Sequence, residues 1–212
     1  MDAFQTYYWP LLIGYALGSI PFGVLIVKAA GKGDLRSVGS GNIGATNAVR
    51  AGGKGVGLTV LFFDVMKGVA AVLIARHAFP PQAEIFAAIG ALLGHLYPVW
   101  LKFRGGKGVA TMFGILVALD WRIGLIALAV WILAFLVTKM SSVGGLLAAL
   151  SSPIAAVSLG REDLFNLLLG FTLLIWWKHR ANIARILKGT EPRFGRRRDV
   201  ARADDDIEPQ PN

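Results

Sequence analysis

The residues best suited to chemistry fall in four short clusters. The longest is Ser37-Val38-Gly39-Ser40-Gly41-Asn42-Ile43-Gly44-Ala45-Thr46-Asn47, with three glycines, three hydroxyls, two Asn and no charge. Glycine lets a backbone come close to a ligand and take positive φ, and hydroxyls and amides are neutral hydrogen-bonding groups. Lys32, Arg36, Arg50 and Lys54 flank the stretch. Neutral donors framed by cations suit an anion with several oxygens, phosphate above all. The second cluster, Lys102-Phe103-Arg104-Gly105-Gly106-Lys107-Gly108-Val109, opens an apolar run. Backbone N–H groups at a helix start bind anions, and a neighbouring Lys adds a point charge. It is not a Walker A loop, because Gly108 stands where Ser or Thr must follow the Lys. Gly94-His95-Leu96-Tyr97-Pro98 lies just upstream, and the remaining clusters are Lys139-Met140-Ser141-Ser142 and Lys178-His179-Arg180-Ala181-Asn182.

Several chemistries are excluded. There is no Cys, so thiolate nucleophiles, zinc thiolates and disulfides are absent. No Gly-x-Ser-x-Gly elbow occurs, and His77, His95 and His179 have no zinc-binding spacing. The His-x4-Asp pair of acyl-CoA acyltransferases is missing: Trp100, Gln82 and Ala184 stand where the Asp would be. No paired-Asp signature for magnesium-dependent phosphotransfer appears, and neither metal nor cofactor is expected.

The elements that must carry these clusters are membrane helices. Hydrophobic residues make up 55% of the 212-residue chain, gathered in long blocks, which is the composition of a polytopic membrane protein rather than a soluble domain. Seven spans are expected: about 8–27, kinked at Pro21, then 56–75, 85–100, 109–119, 123–138, 143–159 and 164–177. The fourth is shorter than the ~20 residues usual for a crossing. The loop at 28–54 is long for a connection between membrane helices, which marks it as functional. Asp64 and Lys67 share one face of the second span; they either line the site or pair to hold the bundle. Residues 180–187 have the pattern of an amphipathic interfacial segment.

Charge orients the bundle. With seven spans, 18 of the 22 Lys and Arg fall on one side and only Arg76, Arg122 and Arg161 on the other. The basic side is then cytoplasmic, the N-terminus outside and the C-terminus cytoplasmic. All four clusters share the cytoplasmic side. The net charge of +9 is read as facing anionic lipid, with no nucleic-acid partner. A single membrane domain is expected over 1–198. The acidic, Pro-containing segment 199–212 is expected to be disordered.

Gly39-Ser40-Gly41-Asn42-Ile43-Gly44-Ala45-Thr46-Asn47, Gly94-His95-Leu96-Tyr97-Pro98-Val99 and Gly105-Gly106-Lys107-Gly108-Val109-Ala110-Thr111 resemble the signatures of the acyl-phosphate:glycerol-3-phosphate acyltransferases of the PlsY type. The resemblance runs from Gly18 to about Lys188. It implies a seven-helix protein of the bacterial inner membrane with its site facing the cytoplasm. The implied reaction passes an acyl group from acyl phosphate to the 1-hydroxyl of sn-glycerol 3-phosphate, the first acylation of phospholipid synthesis. The enzyme that forms the acyl phosphate is the implied protein partner. On this reading Arg50, Lys107, Gly105, Gly106 and Gly108 hold phosphate. Ser40, Asn42, Thr46 and Asn47 shape the site, Ser142 is a further donor, and His179 and Asn182 bind glycerol phosphate. His95 is an orienting donor or a general base. The family often has a second hydroxyl three residues after Ser142, where this chain has Gly145. A transporter for an organic phosphate is the alternative reading; it favours long inverted repeats, whereas only Gly-Gly-Lys-Gly-Val recurs here, at 52–56 and 105–109.

Overall fold

The computed structural model describes residues 4–195; the acidic segment 199–212 lies outside them. Among the described residues every regular element is helical: α1 (Trp9–Gly18), α2 (Phe22–Ala29), α3 (Ala45–Ala78), α4 (Ala83–Leu96), α5 (Val109–Leu119), α6 (Trp121–Thr138), α7 (Ser141–Ser158), α8 (Phe165–Lys178) and α9 (Arg180–Leu187), with short 3-10 turns between some of them. The expectation of an all-helical membrane protein therefore holds. Five stretches of the described residues are long and apolar enough to cross a bilayer: Thr6–Ala29, Ala45–Ala78, Ala83–Leu101, Trp121–Thr138 and Ser141–Ser158. α5 has 11 residues and α8 has 14. At 1.5 Å per residue α5 is about 16 Å long, against a hydrocarbon layer of about 30 Å.

Two boundaries differ from expectation. The first span is broken, not merely kinked. Pro21 brings no N–H and cannot continue the ladder, so the chain leaves α1 at Ser19 and re-enters a helix at Phe22. The carbonyls exposed by the break are satisfied from elsewhere, as backbone in a membrane protein must be: Trp100 Nε1 donates to Ser19 O at 2.7 Å and Lys67 Nζ to Ile20 O at 3.0 Å. The second correction concerns the loop expected over 28–54. It ends early, because α3 begins at Ala45 and bends at Gly53, whose φ of 85° departs from the helix. Thr46, Asn47 and Arg50 therefore sit on a rigid helical arm rather than in a loop.

Close packing of small residues sets the frame. A Cβ at Gly14 or Gly18 of α1 would lie 2.1 Å from the carbonyl oxygen of Ala87 or Ala91 of α4. Gly90 and Gly94 of α4 approach the Leu11 and Tyr15 carbonyls of α1 equally tightly, at 2.1 and 2.3 Å. Two helices with glycines four apart bring their backbones into contact, which lipid-exposed helices use in place of a hydrophobic drive. The core then fills with Leu92, Leu96, Met112, Ile115, Leu116, Leu168 and Ile175 from α4, α5 and α8. Large apolar side chains such as Leu58, Phe62, Leu133, Val137 and Leu173 point outward instead, as expected where the solvent is lipid.

Candidate active site

The glycine-rich stretch is folded by Asn47. The short turn Leu35–Ser37 leads into it, started by Asp34, whose Oδ1 accepts from Arg36 N at 2.9 Å. Asn47 Nδ2 donates to the Leu35 and Val38 carbonyls at 3.0 and 2.9 Å, and its Oδ1 accepts from Ser40 N at 3.3 Å. Its amide is thus committed to backbone, and Asn47 shapes the loop from the helical arm. Gly39 turns at φ +53°, and a Cβ there would strike Asn47 Oδ1 at 2.7 Å. The Arg36 guanidinium hydrogen-bonds the Asp34 carboxylate and holds its pKa down to about 2. Asp34 is therefore a spent carboxylate, unsuited to take a proton near neutrality.

The Lys107 loop is built on the open end of α4. A helix leaves its last carbonyls without partners. Here Gly105 N donates to Leu96 O at 3.2 Å and Gly106 N to His95 O at 3.1 Å, while Lys178 Nζ also donates to Leu96 O at 3.0 Å. This corrects one expectation: the Gly105 and Gly106 N–H groups are already engaged and are not free to cradle a phosphate. These glycines serve shape instead. A Cβ on Gly106 would lie 2.2 Å from His95 Nε2, and one on Gly105 2.1 Å from His95 O. Gly108, at φ +85°, precedes the first residue of α5 and lets the chain turn after Lys107.

Lys107 heads a connected polar cluster. Its Nζ donates to Asn182 Oδ1 at 2.5 Å, and Asn182 Nδ2 donates to Glu191 Oε1 at 2.6 Å. Ser142 Oγ donates to the same Glu191 oxygen at 2.6 Å, and Arg185 Nε to Oε2 at 2.8 Å. Ser142 is not a helix cap; Met140 occupies that position and offers no side-chain cap. α9 carries Asn182 and Arg185 one turn apart, which aims both at the cluster. Glu191 arrives from the segment after α9, pinned where Phe194 N donates to Lys139 O at 2.7 Å and the Phe194 ring meets Phe135 edge-on at 5.8 Å. Burial alone pushes the Glu191 carboxyl up, but hydrogen bonds from Ser142, Asn182 and Arg185 outweigh it, so its pKa lies below the ordinary value. Burial lowers the Lys107 ammonium to about 8, opposed by Glu191.

His179 Nδ1 lies 2.8 Å from Ile175 O. A carbonyl only accepts, so Nδ1 carries the proton and Nε2 keeps a lone pair. Burial lowers the pKa of His179 to about 4, so the ring is neutral and suits a hydroxyl better than a phosphate. A Cβ at Gly145 would stand 2.8 Å from a Val109 methyl and 3.6 Å from Nε2, so Val109 crowds the place where the second hydroxyl would sit.

These groups surround a cavity of about 160 Å³. Ser40, Thr46, Arg50, Lys107, Ser142 and His179 line its polar part, and Leu61, Val109, Phe113 and Trp131 its apolar part. Asn42, Asn47, His95, Gly108 and Asn182 also reach it, whereas Gly105 and Gly106 do not line it. Of the pair, Asp64 lines the cavity and Lys67 does not; the two are 2.8 Å apart. Glu191, Arg185 and the apolar wall were missed by sequence reasoning. Ser141 adjoins Ser142 and Thr46 Oγ1 donates to its hydroxyl at 3.3 Å. Glu191, a lone acid in a basic tail, carried no signal beyond that contrast. A cavity with an excess of cations at one end and an apolar wall at the other fits an anionic headgroup attached to a hydrocarbon chain.

A family model described as glycerol-3-phosphate acyltransferase matches residues 8–189. The glycerol-3-phosphate acyltransferase of Mesorhizobium japonicum is 49% identical over 185 residues, 87% of this chain and 94% of that protein. The one from Brucella ovis is 50% identical over 185 residues, covering 87% and 92%. A crystal structure of PlsY (YgiH), an integral membrane glycerol 3-phosphate acyltransferase, in its glycerol 3-phosphate form superimposes with a TM-score of 0.84 at 39% identity, covering 89% of this chain and 95% of that one. Its lysophosphatidic acid form gives 0.82 at 38%. The matched region contains all four clusters on which the cavity is built, and this chain belongs to the glycerol-3-phosphate acyltransferase family.

Proposed function

We propose that this glycerol-3-phosphate acyltransferase takes its acyl group from an acyl phosphate and places it on the 1-hydroxyl of sn-glycerol 3-phosphate, releasing lysophosphatidic acid and inorganic phosphate. The observation that carries this reading is the cavity itself: Arg50, Lys107 and Arg185 face it against two carboxylates, Glu191 and Asp64, the second already paired with Lys67, beside an apolar wall. An acyl phosphate is a mixed anhydride, already activated, so no covalent acyl-enzyme is required. The work is to bring two anions together, align hydroxyl with carbonyl and stabilise the growing oxyanion. Arg50 and Lys107 hold the phosphates and Ser40 donates, while Ser142, its proton engaged by Glu191, keeps that carboxylate in place beside them. Neutral His179 accepts from a glycerol hydroxyl, and Asn182 orients Lys107. The hydroxyl oxygen attacks the acyl carbon, the bond from that carbon to the phosphate oxygen breaks, and the hydroxyl proton passes to the departing phosphate. His95 is an orienting group in this scheme, since its Nδ1 is turned to Thr111 and Asp64.

The reading includes seven crossings, with α5 and α8 as the short ones, the N-terminus outside and the cavity facing the cytoplasm of a bacterial inner membrane. The asymmetry of Lys and Arg supports it. The enzyme that makes the acyl phosphate is the upstream partner. Purified protein in lipid, given labelled glycerol 3-phosphate with palmitoyl phosphate or palmitoyl-CoA in parallel, is expected to form lysophosphatidic acid from the phosphate donor alone. Product from the CoA donor alone would overturn the donor. Because the chain has no Cys, single Gly160→Cys and Lys188→Cys variants test orientation in intact cells. An impermeant thiol reagent is expected to label the first and spare the second; the reverse pattern would invert the topology.

A further inference from the structure

That scheme gives His95 an orienting part but leaves its buried neighbours without one. Asp64 and Lys67 of α3, His95 of α4 and Thr111 of α5 are all buried and form a chain. Lys67 Nζ reaches Ile20 O at the α1–α2 break at 3.0 Å and Asp64 Oδ1 at 2.8 Å. The same Asp64 oxygen lies 3.7 Å from His95 Nδ1, and Thr111 Oγ1 is 3.1 Å from that nitrogen. The far edge of the ring, Nε2, lies against Gly106, where a Cβ would come within 2.2 Å. The His95 carbonyl accepts from Gly106 N at 3.1 Å. His95 thus grips the loop one residue before Lys107 at two points, by ring and by backbone.

We infer that Lys67, Asp64 and Thr111 are positioning residues: through His95 they set the place of the Gly105-Gly106-Lys107 loop, and so of the Lys107 ammonium in the cavity. An imidazole ring free to rotate about its side-chain bonds would press on Gly106 in one orientation and leave it in another. The Thr111 hydrogen bond to Nδ1, with the Asp64 carboxylate 3.7 Å from the same atom, removes that freedom. A buried ion pair is a poor way merely to glue helices, since apolar residues of similar volume do as well or better. A pair that directs a third group into a loop has a use that apolar packing lacks. The link to Ile20 ties this brace to the α1–α2 break, so three helices and that break fix one loop.

The inference rests on Lys107 as the phosphate-holding cation, and its test separates the two ideas. In the purified protein in lipid, the double variant Asp64→Leu/Lys67→Met removes both charges at similar volume, and Thr111→Val is compared with Thr111→Ser. The readouts are melting temperature, kcat/KM for glycerol 3-phosphate, and the rate at which an amine-reactive reagent modifies Lys107 relative to Lys139, followed by mass spectrometry. The double variant and Thr111→Val are expected to stay folded. Their relative Lys107 labelling should shift at least threefold and kcat/KM fall at least tenfold, while Thr111→Ser restores both to within about twofold of wild type. Unchanged Lys107 labelling in folded Thr111→Val would overturn the brace. Shifted labelling with unchanged kcat/KM would keep the brace and overturn the role given to Lys107. If the double variant fails to fold, the Thr111 pair alone decides.

Discussion

The two ends of the bundle use the same residue types to opposite effect. At one end Asp120 starts α6, accepting from Arg122 N at 3.0 Å, and its carboxylate also pairs with the Arg122 and Arg161 side chains at 2.7 and 3.1 Å. Arg161 turns its other nitrogen to Asp163 at 2.8 Å. Charges there close on one another, and the Asp120 carboxyl, hydrogen-bonded by Arg122, stays well below the usual carboxylate range. At the other end Glu191 is one carboxylate among Lys107, Arg185 and Arg50, already accepting from Ser142 and Asn182. Cations in excess beside an apolar wall, Lys107 and Arg185 half-buried and Arg50 exposed, are receptive to an added anion. A closed network stabilises; an open one binds.

The sharpest way to break this comparison is Lys107→Ala. It should lower kcat/KM by about 1000-fold, on the scale of losing a preorganised group that meets developing charge, while the protein still folds; wild-type turnover would refute the assignment. Glu191→Ala comes next. It strands Ser142, Asn182 and Arg185 as donors, so activity should fall roughly 10- to 100-fold and the melting temperature by about 2–4 °C per kcal/mol lost. A pH profile then sharpens the role of charge. With the Lys107 ammonium lowered to about 8 by burial, kcat/KM should drop about tenfold per unit above pH 8 as the cation is lost. Stability should move the other way: between about 8 and 10.5 the unfolded chain holds a proton that the native state has released, so stability rises with pH. Lys107→Arg should abolish the alkaline limb, since a guanidinium stays charged. The smallest effect belongs to the closed end. Arg122→Ala should leave activity within about twofold and the melting temperature nearly unchanged, because Arg122 is well exposed and Arg161 still pairs with Asp120.

Legibility followed local density of signal. Ser40, Lys107, Ser142 and Asn182 stand in runs of glycine, hydroxyl and base between apolar blocks, and that contrast alone singles them out. Asn47 was equally visible, but its amide belongs to the backbone of 35–40, a use that no run of letters distinguishes from a ligand contact. Gly105 and Gly106 read as phosphate-binding donors because a glycine pair before a helix commonly is one. Here the end of α4 lies beneath them and takes their N–H groups. Glu191 was out of reach, because its partners come from α7 and α9 and only the turn through Phe194 brings it inward.

By itself the sequence determined the helical class, the segregation of basic residues, the four clusters and the family they resemble. These depend on hydropathy, charge bias and short-range spacing, which the chain carries along its length. Only the tertiary structure decided that the first span breaks in two, that α3 starts at Ala45, that the His95 ring packs against the Gly106 loop, and that a tail carboxylate closes the cation cluster. Each of those depends on which open carbonyl, buried charge or ring edge meets which partner across the bundle. Desolvation makes every such group find one, and the spacing of letters does not say where.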